Sequence, residues 1–437
     1  MLKLVVAINN QATISVVKLV QKAVRLLGRG DGTALPGLIS EKMSPKLLKF
    51  FADQIPHKIL ITGTNGKTTT QIALSSILRA SGKRVLANAS GSNMRRGLLS
   101  LFISKCDRRG KLNYDYAVLE IEEATLPKVV QELNPEVMVF TNLYRDQLDA
   151  YAEIDRTKEM FVKALKLSPQ AKVVFNGDDP RLSDILKGLE NECLKFGLDP
   201  SYILDFKYEG EHLKNQKNDL VASKIKINDD LGTRFQIEDE EYSFASPGIF
   251  NVYNALAAVA SAKSLKILIP DIKKGLLLMK TPFGRGEVLK KNSITYRLLL
   301  AKNPAGLNLV FQLLKHTNKP NLIILLNDKI ADGRDVSWIW DADFELLKDI
   351  GPNMVILGGS RAEELLLRLK YTFEDVVKMG ERAYLIDKKI QVFFTPDIKE
   401  LVNFAEREKL SKYFYVIHTY TAMLEFRKRL LGKALNE

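Results

Sequence analysis

The chain has 437 residues, 46% of them apolar and 27% charged, an ordinary soluble balance with room for two or three domains. No stretch approaches the roughly 18 uninterrupted apolar residues of a membrane span, and Cys106 and Cys193, far apart and alone, exclude a disulfide framework and a four-cysteine zinc site. The formal charge of +13 is spread along the chain, which argues for solvated helix faces, then a phosphate-bearing substrate or an anionic membrane surface, and against nucleic acid.

The N-terminus lacks a convincing signal-peptide cleavage site, and the scarcity of cysteine fits a reducing cytoplasm. Residues 12–29 carry Ile14, Val17, Val20, Val24 and Leu27 on one helical side and Lys18, Lys22, Arg25 and Arg29 on the other. Such a helix packs on its own domain; peripheral contact with the inner membrane surface is the lesser alternative. We take residues 1–50 as an N-terminal helical segment, with a loop at GRGDGTALPG (28–37).

From residue 57 onward apolar runs alternate with helical stretches. KILIT, RVLANA, YAVLEIE, VMVFTNL and AKVVFN suit buried parallel strands, and the alternation predicts a doubly wound α/β sheet over residues 51–285. Residues 181–247 change character: KIKIND, TRFQIED and EYSFASP read as short antiparallel strands, a β-rich insertion appended to the first domain. The helix NVYNALAAVASAKSL follows, and KTPFGRGEV (280–288) marks a boundary. A smaller α/β domain is expected over 286–437, with strands near LIILLND, MVILGG, QVFFTPD and FYVIHT.

Chemistry concentrates at HKILITGTNGKTTTQIALSSILRASG (57–82), where a strand passes through Gly63, Thr64, Asn65, Gly66, Lys67, Thr68 and Thr69 into a helix. Backbone N–H groups at such a junction point at an anion, and the helix dipole favours negative charge. Lys67 can reach terminal phosphates, and the Thr68 hydroxyl can ligate magnesium. The spacing is two residues shorter than the general P-loop pattern. ATP and Mg2+ are therefore the expected ligands.

This shortened loop resembles the Mur ligase family, which joins amines to carboxylates at the expense of ATP. LEIEEAT puts Glu120 where the family keeps a magnesium-binding glutamate, against the plainer reading of a solvated acid. TNLYRDQLD (141–149), NGDDP (176–180) and GIFNVYNALAA (248–258) resemble further family segments. Asn251 and Asn254 match residues near the adenine, and Arg285 joins them in the nucleotide-binding set. Gln147 and Phe250 stand where the family often has histidines, LLLAKNPAG replaces DYAHNP, and no UDP-gripping domain precedes the loop.

AKNPAGLN (301–308), ADGRDVSWIWDADFE (331–345) and GSRAEELLLRLK (359–370) are similar to one branch, the MurT family. That resemblance implies the synthetase subunit of lipid II isoglutaminyl synthase. The ATP γ-phosphate activates the α-carboxylate of D-glutamate in lipid II as an acyl phosphate, and ammonia converts it to D-isoglutamine. Lys67, Thr68 and Glu120 would hold the phosphates. The chain itself offers no recognisable nucleophilic cysteine with a histidine base, so ammonia is expected from a GatD-like glutaminase in a heterodimer.

In the family an aspartate completes that partner's cysteine–histidine pair, and Asp341 matches it. Asp343 is the alternative, although a helix N-cap before FELLKD suits it better. Trp338 and Trp340 suit either an interface anchor or a local core cluster. Many MurT proteins carry a four-cysteine zinc ribbon where this chain has Cys193 alone, so zinc is not expected. A self-sufficient amino-acid ligase and a non-catalytic ATP-binding scaffold remain as alternatives.

Overall fold

The apolar runs become the strands of two sheets in a computed structural model that describes residues 2–26, 34–88, 92–143, 151–203, 207–208, 211–212, 217–227, 232–280, 284–315, 317–407 and 411–432. The chain divides into two compact units, one of Met1–Tyr144, Tyr151–Ala245 and Phe250–Lys280, the other of Arg145–Ala150, Ser246–Ile249 and Thr281–Glu437.

Strands of the first unit are His57–Thr62 (β1), Val85–Ala87 (β2), Tyr116–Glu120 (β3), Val137–Phe140 (β4), Lys172–Asn176 (β5), Cys193–Leu198 (β6), a small hairpin Lys207–Tyr208 (β7) and Glu211–His212 (β8), then Leu220–Ile227 (β9), Thr233–Ile237 (β10) and Glu240–Phe244 (β11). All but the hairpin form one nine-stranded sheet in the order β11-β10-β9-β6-β5-β4-β1-β3-β2. The pairs from β2 through β6 are parallel. Helices cover the apolar strands, and Leu60, Leu119, Phe140, Phe161 and Phe175 meet in a continuous core. β1 has β3 on one side and β4 on the other. The chain therefore changes direction of travel across the sheet at β1, and such a switch point opens a crevice at the carboxyl ends of the strands.

The short strands of the β-rich stretch lie in the first unit and extend its sheet. β9 pairs in parallel with β6, Phe196 opposite Leu220, and β10 and β11 continue antiparallel from it. Unpaired backbone groups along β6 are satisfied by extending the sheet, a stronger demand than forming a separate lobe.

The N-terminal helix runs over Leu2–Leu26, starting earlier than its amphipathic pattern suggested. Ile14 and Val17 are buried. Lys18, assigned to the solvent side, instead donates to the carbonyls of Cys106 (2.6 Å) and Asp107 (3.0 Å). Cys106 is the C-cap of the helix Arg95–Lys105, and a cation there complements both the last carbonyls and the dipole. Gln21 adds a bond to Ser100 O at 3.0 Å. Cys106 is buried, and that burial pushes its thiol up despite Lys18.

The second unit holds Arg285–Lys291 (β12), Ile294–Leu300 (β13), Asn321–Leu325 (β14), Met354–Gly358 (β15), Val376–Lys378 (β16), Ala383–Ile386 (β17), Ile390–Thr395 (β18) and Tyr413–His418 (β19). Their order is β12-β13-β19-β14-β15-β18-β17-β16. The middle five run parallel, and both margins are antiparallel. Among the described residues, no helix is long and apolar enough to cross a membrane.

Candidate active site

The crevice beyond β1 is built by the two strands beside it. Gly63 has φ 125° and Gly66 φ 88°, backbone conformations that glycine adopts without a Cβ penalty. A Cβ at Gly63 would lie 2.3 Å from Thr141 Oγ1, and one at Gly66 would lie 2.0 Å from Asn254 Oδ1. Thr141 and Asn142, just after β4, brace the turn. Asn142 accepts Thr64 N–H on its carbonyl (3.1 Å) and Asn65 N–H on its side chain (2.8 Å). Thr141 Oγ1 and Asn142 Nδ2 both donate to Asn65 O, at 2.7 and 2.9 Å.

The helix Lys67–Ala80 begins at Gly66, and Thr70 N donates to Gly66 O at 2.9 Å. N–H groups earlier in that first turn have no carbonyl ahead of them within the helix, so they present partial positive charge at its mouth. Lys67 adds a full charge. Its ammonium donates to Gly63 O (2.5 Å), Thr64 O (3.3 Å) and Glu123 Oε1 (2.8 Å).

Thr68 Oγ1 donates to Glu120 Oε2 at 2.7 Å, and both residues are buried. Asn88 fixes the backbone of Glu120 from both directions: its Oδ1 accepts Glu120 N–H (2.8 Å) and its Nδ2 donates to Glu120 O (2.9 Å). Gln71 orients Asn88 by donating to its side-chain oxygen at 2.8 Å, and Asn93 Nδ2 reaches Glu120 Oε1 at 3.3 Å. A hydroxyl and a carboxylate held side by side are hard oxygen donors of the kind magnesium prefers. Among the described residues, no group of three His, Cys, Asp or Glu side chains is placed to hold a metal, so other oxygens must complete its shell. The residues present fit a nucleotide-borne magnesium ion.

Asn251 and Asn254 are buried on the helix Ile249–Ser264, with Asn254 Nδ2 donating to Asn251 Oδ1 at 3.2 Å. Tyr253 between them donates its hydroxyl to Asp178 Oδ2 at 2.8 Å. Asp178, from the NGDDP segment, also accepts Leu198 N–H (2.8 Å) and Asn218 Nδ2 (2.7 Å). Burial still holds its carboxyl above the usual range. Asp179 caps the helix Pro180–Leu186 and accepts Leu143 N–H at 2.7 Å. These two acids tie the site's loops together. Sequence reasoning missed Asn88, Asn93 and Glu123, and did not see that Thr141 and Asn142 carry the loop. The side chain of Arg285, and Gln147, lie outside the described residues.

Within the second unit, Asp341 is exposed at the end of a 3-10 turn, Ser337–Trp340. The next helix, Leu346–Ile350, has Glu345 rather than Asp343 at its N-cap position, and the Glu345 side chain makes no cap bond there. The two tryptophans separate: Trp338 is buried, whereas Trp340 is 43% exposed and meets Tyr371 edge-on at 5.4 Å. Asn327, Asp328, Ser360 and Arg361 converge at the carboxyl ends of β14 and β15. Asn327 Oδ1 accepts Ser360 N–H (2.9 Å), and Arg361 Nε donates to Asp328 Oδ2 (2.8 Å). Asp332 accepts Thr421 N–H at 2.7 Å, which caps the helix Tyr420–Leu431.

A sheet with its switch point at a shortened phosphate loop, joined in sequence to a second parallel α/β unit, defines a Mur ligase-like chain. Sequence models of the Mur ligase middle domain and the MurT ligase C-terminal domain match residues 61–262 and 300–423. The MurT subunit of lipid II isoglutaminyl synthase (glutamine-hydrolyzing) from Streptococcus pneumoniae is 32% identical, covering 93% of this chain and 94% of its own. Its Staphylococcus aureus counterpart (strain COL) is 34% identical, covering 84% and 89%. MurF from Acinetobacter baumannii superimposes with a TM-score of 0.68 at 18% identity, covering 91% of this chain and 80% of that one. MurF from Thermotoga maritima, solved with ADP, gives 0.63 at 17%, covering 90% and 84%. These solved structures speak for the fold alone. The chain belongs to the MurT family.

Proposed function

We propose that this chain is the ATP-dependent amidating subunit of a lipid II isoglutaminyl synthase, turning the α-carboxylate of D-glutamate into the amide of D-isoglutamine. A free carboxylate acylates poorly because oxide is a poor leaving group. Phosphorylation by the ATP γ-phosphate supplies a good one, and ammonia then displaces phosphate from the acyl phosphate.

The tasks left to the protein are charge neutralisation and alignment. The N–H groups at the start of the helix Lys67–Ala80 and the Lys67 ammonium face the phosphates, and Lys67 exchanges its contact with Glu123 for one with the nucleotide. Thr68 and Glu120 are the residues that would hold magnesium, which withdraws charge from the phosphates when bound. Asn251 and Asn254, beside Gly66, are assigned to the base, and Arg285 to the nucleotide.

The nitrogen comes from a separate GatD-like glutaminase, with Asp341 orienting the imidazole of that partner's catalytic pair. The substrate is anchored to lipid, so the complex works in the cytoplasm at the membrane's inner face. Val16 and Leu19, exposed on the N-terminal helix, are available for peripheral contact.

The observation that carries the reading is the meeting of the 63–69 loop with Glu120 at the ends of β1 and β3. The test is amidation of lipid II by the purified chain with its own host's GatD-type subunit, ATP and glutamine. Lys67→Ala should stop the reaction with either glutamine or ammonium. A chain that fails to bind ATP, or that uses glutamine unaided, ends this proposal.

A further inference from the structure

Arg368 lies on the helix Ala362–Thr372, and its side chain is only 7% exposed. A guanidinium in that position is tolerable only when its donors are used. Nη2 donates to Ala342 O at 3.0 Å and to the Glu345 carboxylate oxygens at 3.2 and 3.1 Å. Nη1 donates to Thr372 Oγ1 at 2.7 Å and to Glu345 Oε1 at 3.3 Å, and Nε reaches Ile339 O at 3.4 Å. The same group lies 5.0 Å from the Phe344 ring centroid and 5.6 Å from that of Trp340.

One side chain on a regular helix thus grips residues 339, 340, 342, 344 and 345, which are the residues on both sides of Asp341. The gripped segment has little structure of its own. It contains one 3-10 turn, closed at Asp341 by a 3.2 Å bond from Asp341 N to Trp338 O, and such turns are weakly held. A planar fork reaches two carbonyls and a carboxylate at once, whereas an ammonium is a point charge that cannot.

We propose that Arg368 is the positioning residue for Asp341: it fixes the exposed turn from which the carboxylate meets the partner's imidazole. This rests on the reading of Asp341 given above. Arg368 does not belong to the phosphate-loop machinery, so its loss bears on nitrogen delivery rather than on carboxylate activation.

The experiment uses the full chain in complex with its host's GatD-type subunit and compares Arg368→Lys and Arg368→Met, the second keeping apolar bulk. Hydrogen exchange over residues 337–346 should quicken in both. Glutamine-supported kcat should fall about tenfold or more, because small misplacements at a reacting pair are costly, while ammonium-supported kcat stays within about twofold. Unchanged glutamine use in both variants overturns the inference, and so does an equal fall with both nitrogen sources. Asp341→Asn is measured in parallel. If it retains glutamine use, the reading of Asp341 is what fails; if it loses it while Arg368→Met does not, only the role of Arg368 fails.

Discussion

Thr68 and Glu120 share a 2.7 Å hydrogen bond that joins the first turn after the phosphate loop to the last residue of β3. Fifty-two positions apart, they are brought together because β1 and β3 are adjacent parallel strands whose carboxyl ends open on the same crevice. Glu120→Gln keeps the size of the side chain and its ability to accept the Thr68 hydroxyl, but removes the charge that attracts a cation. We expect amidation to fall about 100-fold or more with either nitrogen source. ATP affinity should lose most of its dependence on magnesium, as titration calorimetry with and without the metal would reveal.

Gly66 is a second sensitive point. An added Cβ would lie 2.0 Å from Asn254 Oδ1, at a φ of 88°. The left-handed backbone alone costs roughly 1–2 kcal/mol for an L side chain, and the buried asparagine must also give way. Gly66→Ala should lower the thermal midpoint by a few degrees, roughly as such a penalty implies, and should weaken nucleotide binding by about tenfold or more.

Asp341→Asn isolates nitrogen supply. Substituting an amide for the acid that orients an imidazole disfavours the working tautomer, so glutamine-supported turnover should fall by roughly 100-fold or more. Amidation with high ammonium should remain measurable. Assaying both nitrogen sources on one preparation checks this, and an equal loss of both would rule out the assigned role.

His418 predicts a pH dependence. It is buried at the end of β19, with Nδ1 3.2 Å from Thr419 O, and burial lowers its pKa from 6.5 to about 4. Between those values the unfolded chain takes up a proton that the folded chain refuses. Stability from this residue is therefore complete above pH 6.5 and is lost as pH falls toward 4, by about 2 kcal/mol at pH 5. His418→Gln should flatten the fall in unfolding free energy between pH 7 and 5. Parallel slopes for the two proteins would contradict this.

The parallel strands and the phosphate loop were legible because their signals are local: unbroken apolar runs, and glycines at fixed offsets from a lysine and a threonine. β6 was not, because Lys195 and Gly197 interrupt its run, and the parallel pairing of β9 with it was not, because pairing partners leave no trace in a single strand's pattern. Asn88, Asn142 and Glu123 act on residues 32 to 77 positions away, and their roles come from sheet order rather than from spacing. Trp338 and Trp340 read alike in sequence, yet one is core and the other faces solvent. Which way a short turn rolls is decided by Arg368, on another helix.

β19 lies between β13 and β14, at the middle of the second sheet, yet among the described strands it comes latest in the chain. Until residues 413–418 emerge, β13 and β14 have no common neighbour, and the helix whose first turn binds Asp332 does not yet exist. The centre of this sheet is therefore the part completed latest, after the two strands it joins have been made.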